Sequence, residues 1–155
     1  MRHVFFGEYE LTIDDKNRLL VPSEVRRQVD AERDGEAFFA IMGVNRKLWL
    51  YPEKFYQEMV TRDLSDVSPG EELLAFDQMN FAMAAKMEWD KQGRILLPEK
   101  TLKRINLGKD VTLIGVRDHL ELWTTPDWEV RREELMSQSA EITLKAKQAR
   151  KGVAG

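Results

Sequence analysis

Two short segments of the chain carry an acidic and a basic residue at the same spacing, and these residues are the best placed to do chemistry. Asp14 is followed four positions later by Arg18, and Asp90 is followed four positions later by Arg94. In both copies an aliphatic triplet and a proline come after the arginine, and the second copy begins 76 residues after the first. An arginine whose orientation is already fixed loses little entropy when it meets a phosphate or a guanine edge. Arg18 and Arg94 are therefore candidate residues for binding a phosphate or a guanine, with Asp14 and Asp90 as the residues that could orient them.

The residues between each acid and its arginine are typical of tight turns between strands. Asn17 in the first copy tolerates a left-handed backbone, and Gly93 holds the same place in the second copy. Lys16 is expected to protrude from the first turn as a phosphate contact, with Lys91 as its loose counterpart in the second turn. Each ion pair could equally do no more than stabilise its own turn, where an exposed pair contributes about 0–1 kcal/mol. The residues alone leave both interpretations open.

Other basic residues could extend such a surface. Arg26 and Arg27 are adjacent on a predicted short helix, so at least one of them should face solvent. The segment from Lys145 to Lys151 contains four basic residues and no acidic one. Cations near a helix C-terminus also favour the helix dipole, and we assign this tail mainly to that structural role.

The composition excludes several classes of function. The chain has no cysteine, which excludes disulfides, thiolate metal sites and a cysteine nucleophile, and is typical of a reducing cytosol. His3 and His119 are the only histidines, they stand in no metal-ligand spacing, and the sequence contains no glycine-rich phosphate loop. The sequence therefore predicts no catalytic residue, no cofactor and no metal site. With a net charge of −3, binding to nucleic acid has to depend on local basic patches.

Around the first motif, alternating and turn-rich patterns predict strands and helices. Tyr9, Leu11 and Ile13 alternate with polar residues, which indicates a half-buried strand. The predicted strands cover residues 8–14, 18–21, 37–42 and 47–51. The predicted helices cover residues 23–30, capped by Ser23, and 52–64, opened by Pro52.

The second half repeats this order of elements. Strands are predicted at 86–89, 94–97, 111–114 and 120–123, with helices from Pro98 to about 105 and from Pro126 onward. Asn106 and Gly108 should end the first of these helices. A further helix that starts at Ser68 and Pro69 links the halves. Its stripe at helical spacing consists of Leu73, Phe76, Met79 or Asn80, and Met83. We expect this stripe to belong to the core or to a subunit interface rather than to a cofactor site.

The repeat also predicts how the halves combine. Four short strands cannot form a stable sheet alone, whereas two copies can pair into one small barrel or sandwich without free edges. We therefore expect an α+β protein whose two repeats form one intertwined domain, or two lobes that share a core. The expected divisions are a first repeat at 5–64, a linking helix at 65–85, a second repeat at 86–128, and a C-terminal helix with a basic tail at 129–155.

These residues resemble the MraZ family of bacterial regulators. The segment Phe5 to Tyr9, the two Asp-x-x-x-Arg motifs and the segment Gly115 to Trp123 carry the resemblance, which extends to about Trp128. It implies two tandem swapped-hairpin β-barrel repeats of the SpoVT-AbrB type in one chain, assembled as a ring-shaped homo-oligomer. It also implies a cytoplasmic, nucleoid-associated transcriptional regulator that binds short direct repeats in double-stranded DNA. The implied target lies upstream of its own gene, at the head of a division and cell-wall gene cluster.

The resemblance also assigns roles to the motif residues. It places the DNA contact on Arg18, with Asp14 as the residue that orients it. The further candidate DNA contacts are Lys16, Asn17, Arg26, Lys91 and Arg94, and Asp90 is the matching orienting residue. For Arg94 we favour a mainly structural role. Asn17 replaces the usual glycine of the motif, and Leu74 and Gln78 stand where similar proteins often carry arginines.

The same fold is also compatible with a second function. A structural or partner-binding ring would use the surfaces of Trp49, Trp123 and Trp128 instead of the Arg18 turn, although tryptophans more often close a core. Loss of DNA binding on substitution of Arg18, with assembly intact, would separate the two. No membrane partner is expected, because no apolar run reaches membrane-spanning length and Glu8 follows the start too soon for a signal-peptide core. No small-molecule substrate is expected either.

Overall fold

The structure is a computed structural model that describes residues 3–62 and 70–154, with side chains through 152. The chain divides into two units, Met1–Thr124 and Thr125–Gly155. Both Asp-x-x-x-Arg motifs belong to the first unit, whereas the described part of the second unit is helical. The predicted helix end at Leu64 and the predicted helix start at Ser68 and Pro69 lie outside the described residues.

The first unit is α+β, as the sequence predicts. Along its first strand, exposed residues alternate with half-buried ones, which is the predicted pattern for Tyr9 and Leu11. Its described strands are β1 (Glu8–Thr12), β2 (Arg18–Leu20), β3 (Ala37–Met42), β4 (Leu48–Pro52), β5 (Ala85–Glu88), β6 (Arg94–Leu96), β7 (Asp110–Val116) and β8 (His119–Thr124). Its described helices are α1 (Ser23–Arg26), α2 (Ala31–Asp34), α3 (Glu53–Arg62), α4 (Glu71–Ala82) and α5 (Glu99–Ile105).

The strands form two sheets, and each sheet combines strands from both repeats. The larger sheet has six strands in the order β1-β7-β8-β4-β3-β5, and the smaller sheet has two, β2 and β6. β1 of the first repeat pairs antiparallel with β7 of the second, and β5 of the second pairs antiparallel with β3 of the first. The α+β fold with two repeats is confirmed, and the strand pairing makes the repeats one intertwined body rather than two lobes.

The hydrophobic core draws on both repeats because the interleaved strands bring their apolar faces together. Leu19 and Leu50 of the first repeat and Ile95 and Leu113 of the second have no exposed surface. Further core members are Phe5, Ile13, Val21, Val25, Phe38, Leu48, Met87, Leu97, Val111, Leu120 and Leu122. Neither repeat can therefore bury its apolar residues by itself.

The predicted helix over residues 23–30 is shorter than expected, because α1 ends at Arg26 and a separate helix, α2, begins after Asp30. Asp30 has an extended backbone, and its carboxylate accepts hydrogen bonds from the backbone N–H groups of Glu32 and Arg33. This side-chain cap places Asp30 at the start of α2 rather than at the end of the predicted helix. Ser23 is not the cap of α1 either, since Pro22 holds that position.

Two other predicted helix boundaries have different outcomes. Pro52 was expected to open a helix, but it is the last residue of β4, opposite Phe38, and α3 begins one residue later. Asn106 does end α5, as predicted, because it adopts a left-handed backbone with φ of 51°. An asparagine tolerates this conformation better than most residues with a Cβ atom, and its backbone N–H closes the last turn of the helix.

Helix α4 lies on the surface with no buried residue. Leu73 and Phe76 are 60% and 54% exposed, and Met79 and Met83 are each 45% exposed. Of the two expectations for this apolar stripe, a place in the core of the chain is therefore wrong. Only the expectation of a subunit interface still applies.

The second unit consists of α6 (Thr125–Ser137) and α7 (Ser139–Ala154). The predicted helix at Pro126 thus begins at Thr125, and a second helix follows it. Lys145 in the basic tail forms a salt bridge of 2.9 Å with Glu141, one turn earlier on α7. Across residues 3–62 and 70–154, no helix combines the length and the apolar character that crossing a membrane requires.

Candidate nucleic-acid interface

The first Asp-x-x-x-Arg motif forms a turn in which one carboxylate organises the whole loop. Oδ1 of Asp14 accepts hydrogen bonds from the backbone N–H groups of Lys16 at 3.0 Å and Arg18 at 2.8 Å. Oδ2 of Asp14 accepts a third bond from Nε of Arg18 at 2.8 Å. The turn closes with Asn17 in the left-handed region at φ of 60°, as predicted. The motif therefore fixes the backbone and the arginine with the same acidic group.

The second motif repeats this geometry bond for bond. Oδ1 of Asp90 accepts from the backbone N–H groups of Gln92 at 2.8 Å and Arg94 at 2.9 Å, and Oδ2 accepts from Nε of Arg94 at 2.7 Å. Gly93 takes the left-handed position with φ of 82°. The geometry gives no reason to assign Arg94 a different role from Arg18.

The hydrogen bonds also keep both carboxylates ionised. The pKa of Asp14 is lowered, chiefly by the backbone N–H of Arg18 and further by its guanidinium and by the backbone N–H of Lys16. The pKa of Asp90 is lowered in the same way, chiefly by the backbone N–H of Arg94. Each arginine therefore has a charged partner throughout the neutral range, which is what orientation by an ion pair requires.

The strands that follow the two turns, β2 and β6, pair with each other in one short β-ribbon. In the ladder between β2 and β6, Arg18 lies opposite Leu96, Leu19 opposite Ile95, and Leu20 opposite Arg94. Leu19 and Ile95 point into the core, so the residues on either side of them point outward. We call the outward side the ribbon face, and its members are Arg18, Leu20, Arg94 and Leu96.

The guanidinium groups on the ribbon face have donors to spare. The side chains of Arg18 and Arg94 are 30% and 27% exposed. Each uses Nε for its aspartate, and among residues 3–62 and 70–154 the terminal nitrogens have no further partner. Those nitrogens form a planar donor pair, which matches a phosphate or the O6 and N7 atoms of guanine.

Arg26 lies at the second turn, although it is close to the first motif in sequence. Its Nε donates to the backbone carbonyl of Val21 at 2.9 Å. A Cβ atom built on Gly93 would lie 2.6 Å from both Cδ and Nη1 of Arg26, so the arginine packs directly against that glycine. Arg26 and Lys91 also line a cleft of about 460 Å³ beside Trp89. The structure thus groups Arg26 with Lys91 and Arg94, whereas Lys16 and Asn17 belong to the Arg18 turn.

Two features of the surface were missed from the sequence. Lys109 forms a salt bridge of 2.5 Å with Asp15, which brings a further cation to the first turn. Leu20 and Leu96 are 53% and 55% exposed on the ribbon face. The alternation of strand residues around buried Leu19 and Ile95 was the signal available for the leucines. No local pattern connects Lys109 with Asp15.

The tryptophans of the alternative function are largely engaged in the fold. Trp49 stacks on the ring of His119 with 4.0 Å between centroids, and its Nε1 donates to Asn45 at 2.8 Å. Trp123 is 7% exposed, and its Nε1 donates to Glu121 at 3.0 Å. Trp128 belongs to the second unit. The surfaces of Trp49 and Trp123 are therefore poor candidates for partner binding.

Trp49 and Trp123 lie beside a buried polar cluster centred on Glu121. Glu121 accepts from Asn45 and Trp123, and its other oxygen lies 2.9 Å from Nε2 of His119. The opposite ring nitrogen of His119 lies 2.9 Å from Asp118. Burial is the largest influence on the pKa of Glu121 and raises it, but the hydrogen bonds from His119, Asn45 and Trp123 bring the net shift below the ordinary value. Among the described residues, no group of three or more histidine or acidic side chains is arranged to hold a metal ion.

Comparison with known proteins gives one consistent family. A family model described as "MraZ protein, putative antitoxin-like" matches residues 4–75 and 80–151, so it matches twice along the chain. The two matches divide the chain at nearly the same place as the internal repeat does.

Individual relatives carry the same name. A "Transcriptional regulator MraZ" of Desulfitobacterium hafniense is 39% identical over 127 residues, which cover 81% of this chain and 84% of the relative. One of Heliobacterium modesticaldum is 32% identical over 142 residues, covering 92% of this chain and 96% of the relative. One of Clostridium tetani is 32% identical over 126 residues, covering 81% of this chain and 85% of the relative.

Proposed function

The chain belongs to the MraZ family, and from this premise we propose that it is a DNA-binding transcriptional regulator that reads short direct repeats in double-stranded DNA. The name of its relatives describes regulation of transcription, which is not an enzymatic activity. The protein acts at the nucleoid, in the cytoplasm, on DNA upstream of its own gene in a division and cell-wall gene cluster. In this proposal the chain comprises a first repeat at 5–64, a linking helix at 65–85, a second repeat at 86–128, and a C-terminal helix with a basic tail at 129–155.

The observation that carries the proposal is the pair of oriented arginines on the ribbon face. Both guanidiniums are fixed through Nε and keep their terminal donors available. A two-stranded β-ribbon is narrow enough to enter the major groove, where an arginine can bind guanine through two hydrogen bonds. We therefore assign base contacts to Arg18 and, in contrast to the sequence-based preference, to Arg94 as well.

The remaining basic residues of the two turns serve the phosphate backbone. Lys16 is exposed in the first turn, and Lys91 and Arg26 are exposed beside the second. Phosphate contacts of this kind set position and affinity without reading sequence. Asn17 has its backbone role in the turn and lies within reach of the same DNA.

Self-assembly supplies the affinity that one ribbon cannot. The exposed apolar stripe of α4 supports an interface between copies of this chain, because a monomer gains nothing from leaving it in water. A ring presents the same ribbon face several times, so each further contact with a direct repeat becomes intramolecular. Leu74 and Gln78 lie exposed on the same helix, so this chain carries no arginine at the two positions where similar proteins often do.

Fluorescence anisotropy with DNA from upstream of its own gene tests the proposal. The native protein should bind this duplex more tightly than a scrambled one, and Arg18→Ala and Arg94→Ala should each weaken binding by roughly tenfold or more. Arg27→Ala is the matched control, because Arg27 is exposed and is not a member of the ribbon face. A salt series then counts the phosphates engaged. Equal binding of scrambled DNA, or two unaffected arginine variants with intact assembly, would contradict the proposal.

A further inference from the structure

We propose that Leu20 and Leu96 are specificity-determining residues that contact the 5-methyl groups of thymines in the major groove. This inference rests on the proposed DNA binding and deepens it, because it names the bases that lie next to those read by the arginines.

The register places each leucine beside an arginine at the closest kind of cross-strand pair. The backbone N–H of Leu97 donates to the carbonyl of Asn17 at 2.8 Å, and the N–H of Val21 donates to the carbonyl of Gly93 at 3.1 Å. These bonds put the pairs 18/96 and 20/94 at non-hydrogen-bonded sites, where facing Cα atoms are about 4.5 Å apart. Leu96 therefore lies directly beside Arg18, and Leu20 directly beside Arg94.

The orienting aspartates fix the arginines of the ribbon face in place. Asp14 binds the guanidinium of Arg18, and Asp90 binds that of Arg94. Each of the two outward-facing residue pairs of the ribbon carries one arginine and one leucine. The ribbon face thus presents a cationic and an apolar side chain at each pair.

The fold does not require leucine at either position. Leu20 and Leu96 are more than half exposed, whereas the core side of the same ribbon is filled by Leu19 and Ile95, which have no exposed surface. A single exposed leucine needs no explanation, but these two occupy the same position in both repeats and lie diagonally across a face whose other members are arginines. That arrangement points to a ligand with both polar and apolar features at this spacing.

The major groove of DNA offers such a ligand. Guanine presents two acceptors to a guanidinium, and the 5-methyl group of thymine is the apolar group of the groove edge. A ribbon face with arginine and leucine side by side therefore fits a guanine next to a thymine, on the same strand or on the complementary strand. Leucine cannot donate or accept a hydrogen bond, so it also disfavours a cytosine, whose donor would be left without a partner.

The test removes the methyl groups without changing base pairing. The upstream duplex is compared with the same duplex in which thymines of the bound repeats are replaced by deoxyuridine. The native protein should lose about three- to fivefold in affinity for each contacted methyl group, as expected for one buried methyl-sized group. Leu20→Ala, Leu96→Ala and the double variant should bind the native duplex more weakly, and the double variant should no longer distinguish the two duplexes.

Controls separate this inference from its alternatives. Val44→Ala changes a side chain that is 93% exposed on another turn and should keep the methyl preference. An effect of deoxyuridine on DNA shape alone would persist in the double leucine variant and would overturn the inference. So would a native protein that binds both duplexes equally, or leucine variants that lose assembly, since the leucines would then cover a second copy of the chain. Failure of the proposed function gives a different result. Arg18→Ala would then bind the native duplex with the same affinity as the native protein.

Discussion

Arg18 and Arg94 lie diagonally across a ribbon only three residue pairs long, although 76 residues separate them in the chain. Each is the arginine of its own repeat, and each is held by its own aspartate. Because β2 pairs with β6, the two repeats build one composite surface rather than two independent ones. A substitution in either repeat should therefore affect the same DNA contact.

The first prediction concerns Asp14, which orients Arg18. Removing a negative charge beside DNA normally strengthens binding, because the phosphates are negative. Asp14→Asn should do the opposite and weaken binding by about two- to tenfold, since a released arginine side chain must be ordered again in the complex. Anisotropy titrations at one salt concentration measure the effect.

Asp15→Asn is the matched control, because it makes the same charge change one residue away. The Asp15 side chain is fully exposed and only bridges Lys109. Its removal should leave DNA affinity unchanged or increase it. If both variants bind more tightly, net charge rather than orientation decides the affinity.

The second prediction concerns the close approach of the N-terminal segment to β7. A Cβ atom on Gly115 would lie 2.2 Å from the backbone nitrogen of Phe6, so the backbone itself would have to move. Gly115→Ala should lower the free energy of unfolding by about 1–3 kcal/mol. Gly108→Ala, where a Cβ atom meets nothing within 4 Å, should change it by no more than about 0.5 kcal/mol. Urea denaturation of both variants tests this, and equal stabilities would show that the segment can shift freely.

The third prediction is a pH dependence at Glu121. Its folded pKa lies below the ordinary value of 4.5, so its hydrogen bonds stabilise the fold above that pH and are lost as the pH falls through the folded pKa. Glu121→Gln should reduce stability by about 1–3 kcal/mol at pH 7, and the difference should close in strong acid. Denaturation curves across this range measure the gap. Glu10→Gln, at an exposed site on β1, is the matched control and should leave stability at pH 7 unchanged.

The fourth prediction concerns assembly through α4. Leu73→Glu places a charge on the exposed apolar stripe and should reduce the mass of the assembly measured by light scattering. DNA affinity should fall with it because avidity is lost, while the unfolding midpoint extrapolated to low protein concentration stays the same. Gln78→Glu adds the same charge at an exposed position outside the stripe and should leave the assembly intact. An unchanged mass for Leu73→Glu would place the subunit contact elsewhere.

Local features of the site could be predicted because they depend on neighbouring residues. The left-handed backbone of Asn17 and the alternation along β1 follow from residue types within a few positions. The bond of Asp14 to Arg18 follows from a spacing of four residues across a turn. These are short-range effects, and the sequence contains everything that determines them.

Features that depend on strand pairing could not be predicted in the same way. Arg26 lies at the second turn only because β2 pairs with β6, and no pattern near Arg26 encodes that pairing. The early end of α1 at Arg26 was missed, because the role of Asp30 as the cap of a second helix is visible only in its hydrogen bonds. The exposure of the α4 stripe was likewise undecided, since helical spacing alone does not say what covers an apolar face.

The interleaved strand order also constrains how the polypeptide acquires its structure during synthesis. Glu8 pairs with Ile114, 106 positions later, so the first strand to leave the ribosome has no partner until most of the chain has followed. Such distant pairings slow folding, and an unpaired strand is open to association with other chains in the interval. We expect refolding to be slow for a protein of this size, and a nascent chain halted between the repeats to depend on chaperones.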